Sequence, residues 1–116
     1  MKTNKKKQLN QRRIVQQKLD KISKLNDPIP PSGWVKAIRG SLGLTIRQLA
    51  DRVGVSHGTI NQLEKREPTR RVTIESLEKA AQAMDCKMVY AIIPKESGAT
   101  LEDIIRSKVV EAATKI

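Results

Sequence analysis

Between Ser56 and Leu63 the chain reads SHGTINQL, dense in side chains that hydrogen-bond and poor in charge. Gln62 carries an amide able to meet adenine N6 and N7 together. His57 offers a ring nitrogen to guanine or to a phosphate, and the Thr59 methyl suits a thymine methyl. Gly58 costs about 1 kcal/mol of helix propensity relative to Ala. Close approach to a base edge or backbone would offset that cost, and slack in an exposed first turn explains the glycine equally. His57, Gly58, Thr59, Asn61 and Gln62 are therefore the candidate base-reading set. Arg66, Thr69, Arg70 and Arg71 follow, and Thr45, Arg47 and Ser56 precede, at places where helix starts and basic loops meet phosphates. The chemistry of such a set is recognition of double-stranded DNA.

Bond-breaking chemistry finds no such set. The chain has no paired carboxylates, Ser-His-Asp arrangement, Cys-His nucleophile or phosphate-cradling glycine loop, so no enzyme and no cofactor is expected. Asp51, Asp85 and Asp103 sit beside basic residues and read as surface charges. Cys86 and His57 are each the sole residue of their type, which argues against a disulfide within the chain and against a zinc site made by the protein alone.

The elements that must hold the reading residues lie in Thr45 to Glu64, TIRQLADRVGVSHGTINQLE. Two short helices joined by a Gly-Val turn have the spacing of a helix-turn-helix. Thr45 caps the first, in which Leu49 and Val53 share an apolar face and Ala50 is small where a second helix must cross. Gly54 takes the positive φ that stops that helix, and Val55 plugs the corner. Ser56 caps the second helix, with Ile60 and Leu63 inward and the reading residues outward.

Around this motif the chain divides into five parts. Residues 1–26 form a basic arm, mobile over 1–7 and then an amphipathic helix from about Gln8 to Leu25 on Val15, Leu19 and Ile22. That helix is open to packing on the domain, to pairing with a partner helix, or to lying on DNA. Residues 27–33 are a stiff linker with three prolines in four positions. Residues 34–86 are the compact domain. Ser32 caps its first helix, Trp34, Ile38 and Leu42 form that helix's stripe with Trp34 as core anchor, and Thr73 caps a further helix, Ile74 to Met84. Residues 87–94 are the one segment with strand chemistry, and a lone strand needs a partner. Pairing of Met88, Val89, Tyr90, Ala91 and Ile92 with their copies in a second subunit predicts a homodimer. Residues 95–116 carry a last helix, capped by Thr100 with Asp103 in capping-box position, running to about Ala113. Leu101, Ile104, Ile105, Lys108 and Val109 give it a face in need of a partner.

Composition agrees. The 116 residues include 38% hydrophobic but only 2% aromatic side chains, so the core must be aliphatic, which suits helices better than a sandwich of sheets. The formal charge is +11, and residues 1–26 hold +8 of it, nine Lys or Arg against one Asp. A polyanionic partner is implied, nucleic acid before an anionic membrane. No long apolar run or signal-type segment is present, so a cytoplasmic protein with no membrane role is expected.

At LADRVGVSHGTINQLE, with Ala50, Gly54, Val55, Ile60, Leu63 and Glu64 as landmarks, the chain resembles the lambda-repressor-like, xenobiotic-response-element (Cro-like) helix-turn-helix family. The resemblance covers about residues 34–84. It implies a compact bundle of about five helices, dimeric binding to palindromic operators and base reading from the positions above; with the terminal helices as extensions and the strand paired across the dimer, the expected fold is mainly α. Members often carry Gln after the first cap to clamp a phosphate, where this chain has Ile46. The runs GWVKAIRGSLGLTIRQLADRVGVS and LEKAAQAMDCKMVYAIIP are similar to the group called mobile mystery protein A. That similarity implies a co-encoded partner with a Fic domain, an AMP-transferring fold, and an antitoxin role for this chain. Fic inhibition often uses Ser or Thr followed four residues later by Glu and then by Gly or Asn. Ser107 and Glu111 match this spacing, and Ala112 departs from it.

The sequence thus points to a DNA-binding repressor that acts as antitoxin to a Fic-type toxin and regulates its own operon. The alternatives are a protein-interaction module that neutralises a toxin with DNA binding secondary, a stand-alone phage or mobile-element repressor, and a nucleoid-type binder using the basic arm without sequence choice.

Overall fold

The computed structural model describes residues 5–22 and 29–114, with side chains as far as Lys108. It contains six α-helices: α1 (Lys5–Ile22), α2 (Trp34–Ser41), α3 (Ile46–Val53), α4 (His57–Arg66), α5 (Ile74–Ala83) and α6 (Leu101–Thr114). A 3-10 turn, Glu67–Thr69, follows α4. Chain contacts separate two units, residues 28–89 and the two terminal segments together.

In the first unit α3 packs against α4 and α5, and α2 packs against α5. Its core is aliphatic, as composition required: Val35, Leu49, Ala50, Ile60, Ala80 and Met84 are buried together. Leu49 and Ile60 are fully buried, each contributing about 1.5–3 kcal/mol by leaving water. Ala50 and Ala80 are nearly sealed at 1% exposure, and their small side chains let neighbouring backbones approach. Four α-helices and the 3-10 turn make up this domain, against about five helices expected.

Three start signals act as the sequence suggests. The Thr45 hydroxyl accepts from the Gln48 N–H at 3.0 Å, and the Gln48 amide accepts from the Thr45 N–H at 2.8 Å, closing a capping box. Ser56 accepts from the Thr59 N–H, and Thr73 from the Ser76 N–H. Gly54 adopts φ 85°, and its N–H and that of Val55 both reach the Ala50 carbonyl. This is the left-handed end that turns the chain from α3 into α4.

The start of α2 corrects two expectations. Its cap is Gly33, at φ 87°, and not Ser32. No side chain nearby in sequence caps it. The Glu67 carboxylate accepts the N–H groups of Trp34 at 2.6 Å and Val35 at 3.0 Å instead. A Cβ on residue 33 would lie 2.8 Å from the Glu67 Cδ, so glycine is what lets the carboxylate close onto the helix end. With α2 phased this way Val35 points inward at 3% exposure, while Trp34 is 47% exposed and Leu42 lies at the exposed helix end. Trp34 is not the core anchor, because the core takes the next residue along.

The second unit joins α1 and α6. The Arg12 Nε meets Glu102 at 2.6 Å, and the Leu101 N–H donates to the Gln16 side chain at 2.9 Å. Thr100 and Asp103 form the expected capping box. α1 begins at Lys5, earlier than expected, so residues 5–7 are helical and not a loose arm. The expected end near Leu25 lies outside the described residues. Leu19 is buried here, while Ile14, Val15, Ile104 and Ile105 are exposed.

The expected strand over residues 87–94 is not formed. This segment has no helix and no strand, and its backbone makes no hydrogen bond with other described residues. A ladder needs a second edge, and no other described segment offers one. Among the described residues no helix is long and apolar enough to cross a membrane.

Candidate nucleic-acid interface

Helix α4 presents the candidate reading residues on its first turns. His57, Gly58, Thr59 and Gln62 are exposed and Asn61 is half-buried, whereas Ile60 on the opposite face is sealed in the core. This is the alternation a reading helix needs, one face anchored and the other free for base edges. A Cβ on Gly58 would meet nothing closer than the Ser56 hydroxyl at 3.9 Å. No neighbour among the described residues demands a glycine there.

Hydroxyl chemistry at the helix start is partly committed. Ser56 and Thr59 share a hydrogen bond between hydroxyls at 2.8 Å, which stiffens the first turn of α4 and leaves one proton between them for an outside acceptor. The Thr45 oxygen accepts from Gln48 and retains its own proton. Thr69 differs, because its hydroxyl donates to the Arg66 carbonyl at 2.7 Å. In this conformation Thr69 has no donor left for a phosphate.

The cations are free of carboxylates. Arg47, Arg66, Arg70 and Arg71 are exposed, and none forms an ion pair among the described residues. Arg70 is held in the left-handed region at φ 63°, with its N–H on the Glu67 carbonyl, and the Arg71 N–H returns to the Arg66 carbonyl. A left-handed conformation costs a non-glycine residue about 1 kcal/mol, so the turn is held by its hydrogen bonds. Arg66 and Arg71 both line a groove of about 670 Å3 between α4 and the start of α5. Ser56, Thr59, Gln62 and Lys79 also line this groove, which joins the reading face to the basic loop.

Ile46, where a phosphate-clamping Gln was absent, is half-buried against the core. The amide at this helix start comes two residues later, from Gln48, and it is spent on the capping box.

Three residues absent from the candidate set, Arg39, Glu64 and Glu67, position α4 from behind. Glu64 is buried at 6% exposure and receives Arg39 through two bonds, Nε at 2.6 Å and an Nη at 2.9 Å. Arg39 also donates to the Leu44 carbonyl at 2.9 Å. The hydrogen bond it donates to Glu64 raises the Arg39 pKa above its ordinary value, outweighing the opposing effect of burial. One turn on, Glu67 caps α2. The end of the reading helix is thus tied to α2 at two points. Glu64 follows Ile60 by four residues on the inward face, and Arg39 adjoins Ile38 on the inward side of α2. Opposite charges at two core-facing positions were the signal available in the sequence.

The remaining candidates lie apart from this surface. Ser107 is exposed on α6, and Glu111 falls where only the helix backbone is described. Met88 is half-buried, and Val89, Tyr90, Ala91 and Ile92 are exposed.

A family model described as "Helix-turn-helix" matches residues 35–90, just under half of the chain. No curated protein and no solved structure gave a significant match. Residues 35–90 therefore form a helix-turn-helix domain of the lambda-repressor-like kind, a module of DNA-binding regulators.

Proposed function

From the helix-turn-helix domain at residues 35–90 we infer that the protein is a sequence-specific transcriptional repressor. It binds a palindromic operator as a homodimer in the cytoplasm and regulates its own operon. The observation that carries the reading is the division of α4 into two faces. Ile60 and Glu64 are locked into the domain, while His57, Gly58, Thr59 and Gln62 stand free beside the unpaired cations Arg66, Arg70 and Arg71. Two copies of α4 about 34 Å apart would read half-sites one helical turn apart.

The experiment is binding of the purified protein to the duplex upstream of its gene and to random duplex, at physiological salt. A Gln62→Ala change lowers the preference for the upstream duplex, whereas Arg70→Ala weakens binding to both duplexes alike and flattens the salt dependence. Equal affinity of the unaltered protein for both duplexes overturns the repressor reading.

An antitoxin role against a co-encoded Fic-type toxin is the finer part of the proposal. It is supported by the resemblance to mobile mystery protein A and by exposed Ile104 and Ile105 on α6. Co-expression with the neighbouring gene tests it. Deletion of residues 97–116 abolishes protection while operator binding persists, and a neighbour that is harmless without this chain removes the role.

A further inference from the structure

Glu67 is the only acidic residue from Lys65 to Arg71, KREPTRR, and four cations share that stretch with it. The turn folds back on itself, with the Arg70 N–H on the Glu67 carbonyl and the Arg71 N–H on the Arg66 carbonyl. Arg70 and Arg71 follow Glu67 by three and four residues, the spacing at which opposite charges meet on a helical turn. Among the described residues, however, no ion pair joins Glu67 to any arginine. Its carboxylate is turned the other way, onto the N–H groups of Trp34 at 2.6 Å and Val35 at 3.0 Å. Those are donors that the first turn of α2 cannot satisfy internally, and they carry its positive end. The carboxylate is answered there without a cation.

The other side of this contact is equally specific. A Cβ on Gly33 would lie 2.8 Å from the Glu67 Cδ, 2.9 Å from Oε1 and 3.1 Å from Oε2. Its three nearest atoms are thus all in that one carboxyl group, at the end of a flexible side chain. Such a Cβ would displace the carboxylate and not the backbone. Once displaced, the carboxylate falls back among the cations of its own turn.

We infer that Gly33 and Glu67 are positioning residues for DNA binding: the start of α2 holds the Glu67 carboxylate away from Arg66, Arg70 and Arg71, so that these meet phosphate without an internal counter-charge. This role rests on the DNA-binding reading above and adds to it a determinant outside the interface. Glu67 acts on the charge of the loop as well as on the orientation of α4. The last residue of the linker, with no contact to DNA of its own, then sets how many phosphates the loop neutralises.

Two substitutions in the full chain that leave the net charge unchanged test this role. Gly33→Ala displaces the carboxylate, and Glu67→Asp shortens it by one methylene, out of reach of the α2 donors. In both, the Trp34 and Val35 amides lose protection from hydrogen exchange. Affinity falls about fivefold to tenfold at about 0.1 M salt, on the upstream and random duplexes alike. The slope of log affinity against log salt becomes shallower by about 0.9, the share of one phosphate. In a Glu67→Ala background, adding Gly33→Ala changes neither affinity nor slope further, because no carboxylate is left to displace. An equal loss in that background, a fall in sequence preference with an unchanged slope, or amides that stay protected in Gly33→Ala overturns the inference. Circular dichroism checks that each variant keeps its helices, and where Gly33→Ala does not fold, Glu67→Asp decides by the same slope and exchange readouts. An unaltered chain that binds both duplexes equally, with the slope change intact, removes the repressor reading alone.

Discussion

Two bonds from one arginine to a buried glutamate hold the reading helix, whereas α1 and α6 are joined by one arginine–glutamate bond between half-buried residues and by the bond from the Leu101 N–H to Gln16. The Arg39–Glu64 pair has side chains 15% and 5% exposed, and the Arg12–Glu102 pair 26% and 47%. Both have an Nε–oxygen distance of 2.6 Å. Burial separates them, because a charge already out of water cannot return to it when its partner is lost. The reading domain adds an aliphatic core and the Glu67 cap, so α4 is offered to DNA in a set orientation. The terminal pair buries Leu19 but leaves Ile14, Val15, Ile104 and Ile105 exposed. The first unit has a sealed core, although Trp34, Leu42, Ile74 and Val89 stay exposed on it. The second is built like a surface that still has something to cover.

The largest test breaks the first half of this comparison. Arg39→Ala strands Glu64 in the core and lowers stability by about 3 kcal/mol, read as a fall of roughly 10 °C or more in Tm. A paired replacement, Arg39→Met with Glu64→Leu, restores most of that loss, because an apolar pair leaves no charge behind. If the single change costs no more than a surface pair would, the two ion pairs are equivalent and the contrast fails.

A middle-sized test separates folding from reading. Gly58→Ala fits the open space at that position and stabilises α4 by about 0.5–1 kcal/mol. Operator affinity falls in the same variant if Gly58 admits a base edge or backbone. Raised stability with unchanged affinity would mark the glycine as slack in the first turn.

The smallest effects belong to the terminal pair. Arg12→Ala costs about 0–1 kcal/mol, and the cost shrinks as salt rises. Acid acts through Asp103, whose carboxyl is held below the ordinary carboxylate range by the Thr100 backbone N–H and then by the Thr100 side chain. A depressed folded pKa means that its contribution is complete above the ordinary range and is lost as pH falls through the folded value. The Thr100 amide resonance should therefore shift at a pH below that of a free Asp, and Asp103→Asn should remove the transition. A shift at the ordinary pH would show that the cap is not made in solution.

Local chemistry was legible because each such signal spans only a few residues. Thr45, Ser56, Thr73 and Thr100 each accept from the N–H three residues on, and Gly54 turns the chain with its own φ. The outward set on α4 followed from Ile60 by helical period alone. Apart from the local Thr69 bond, what escaped depends on residues far apart in the chain. Gly33 and Glu67, 34 positions apart, together decide how α2 starts and hence that Val35 and not Trp34 enters the core. Arg39 and Glu64 were visible singly as charges near apolar stripes, but not as a pair. Thr69 reads as a phosphate donor until the fold hands its proton to the Arg66 carbonyl.

By itself the sequence determined the helix-turn-helix, its caps, its aliphatic core and the residues α4 turns outward, because periodicity and capping act within a turn or two of the chain. Only the tertiary structure decided how α4 is held and which residue of α2 is buried. Those depend on carboxylates that reach across the fold to donors some 25 to 33 positions away. It also left residues 87–93 without a ladder, since a strand is completed by its neighbour and not by its own residues.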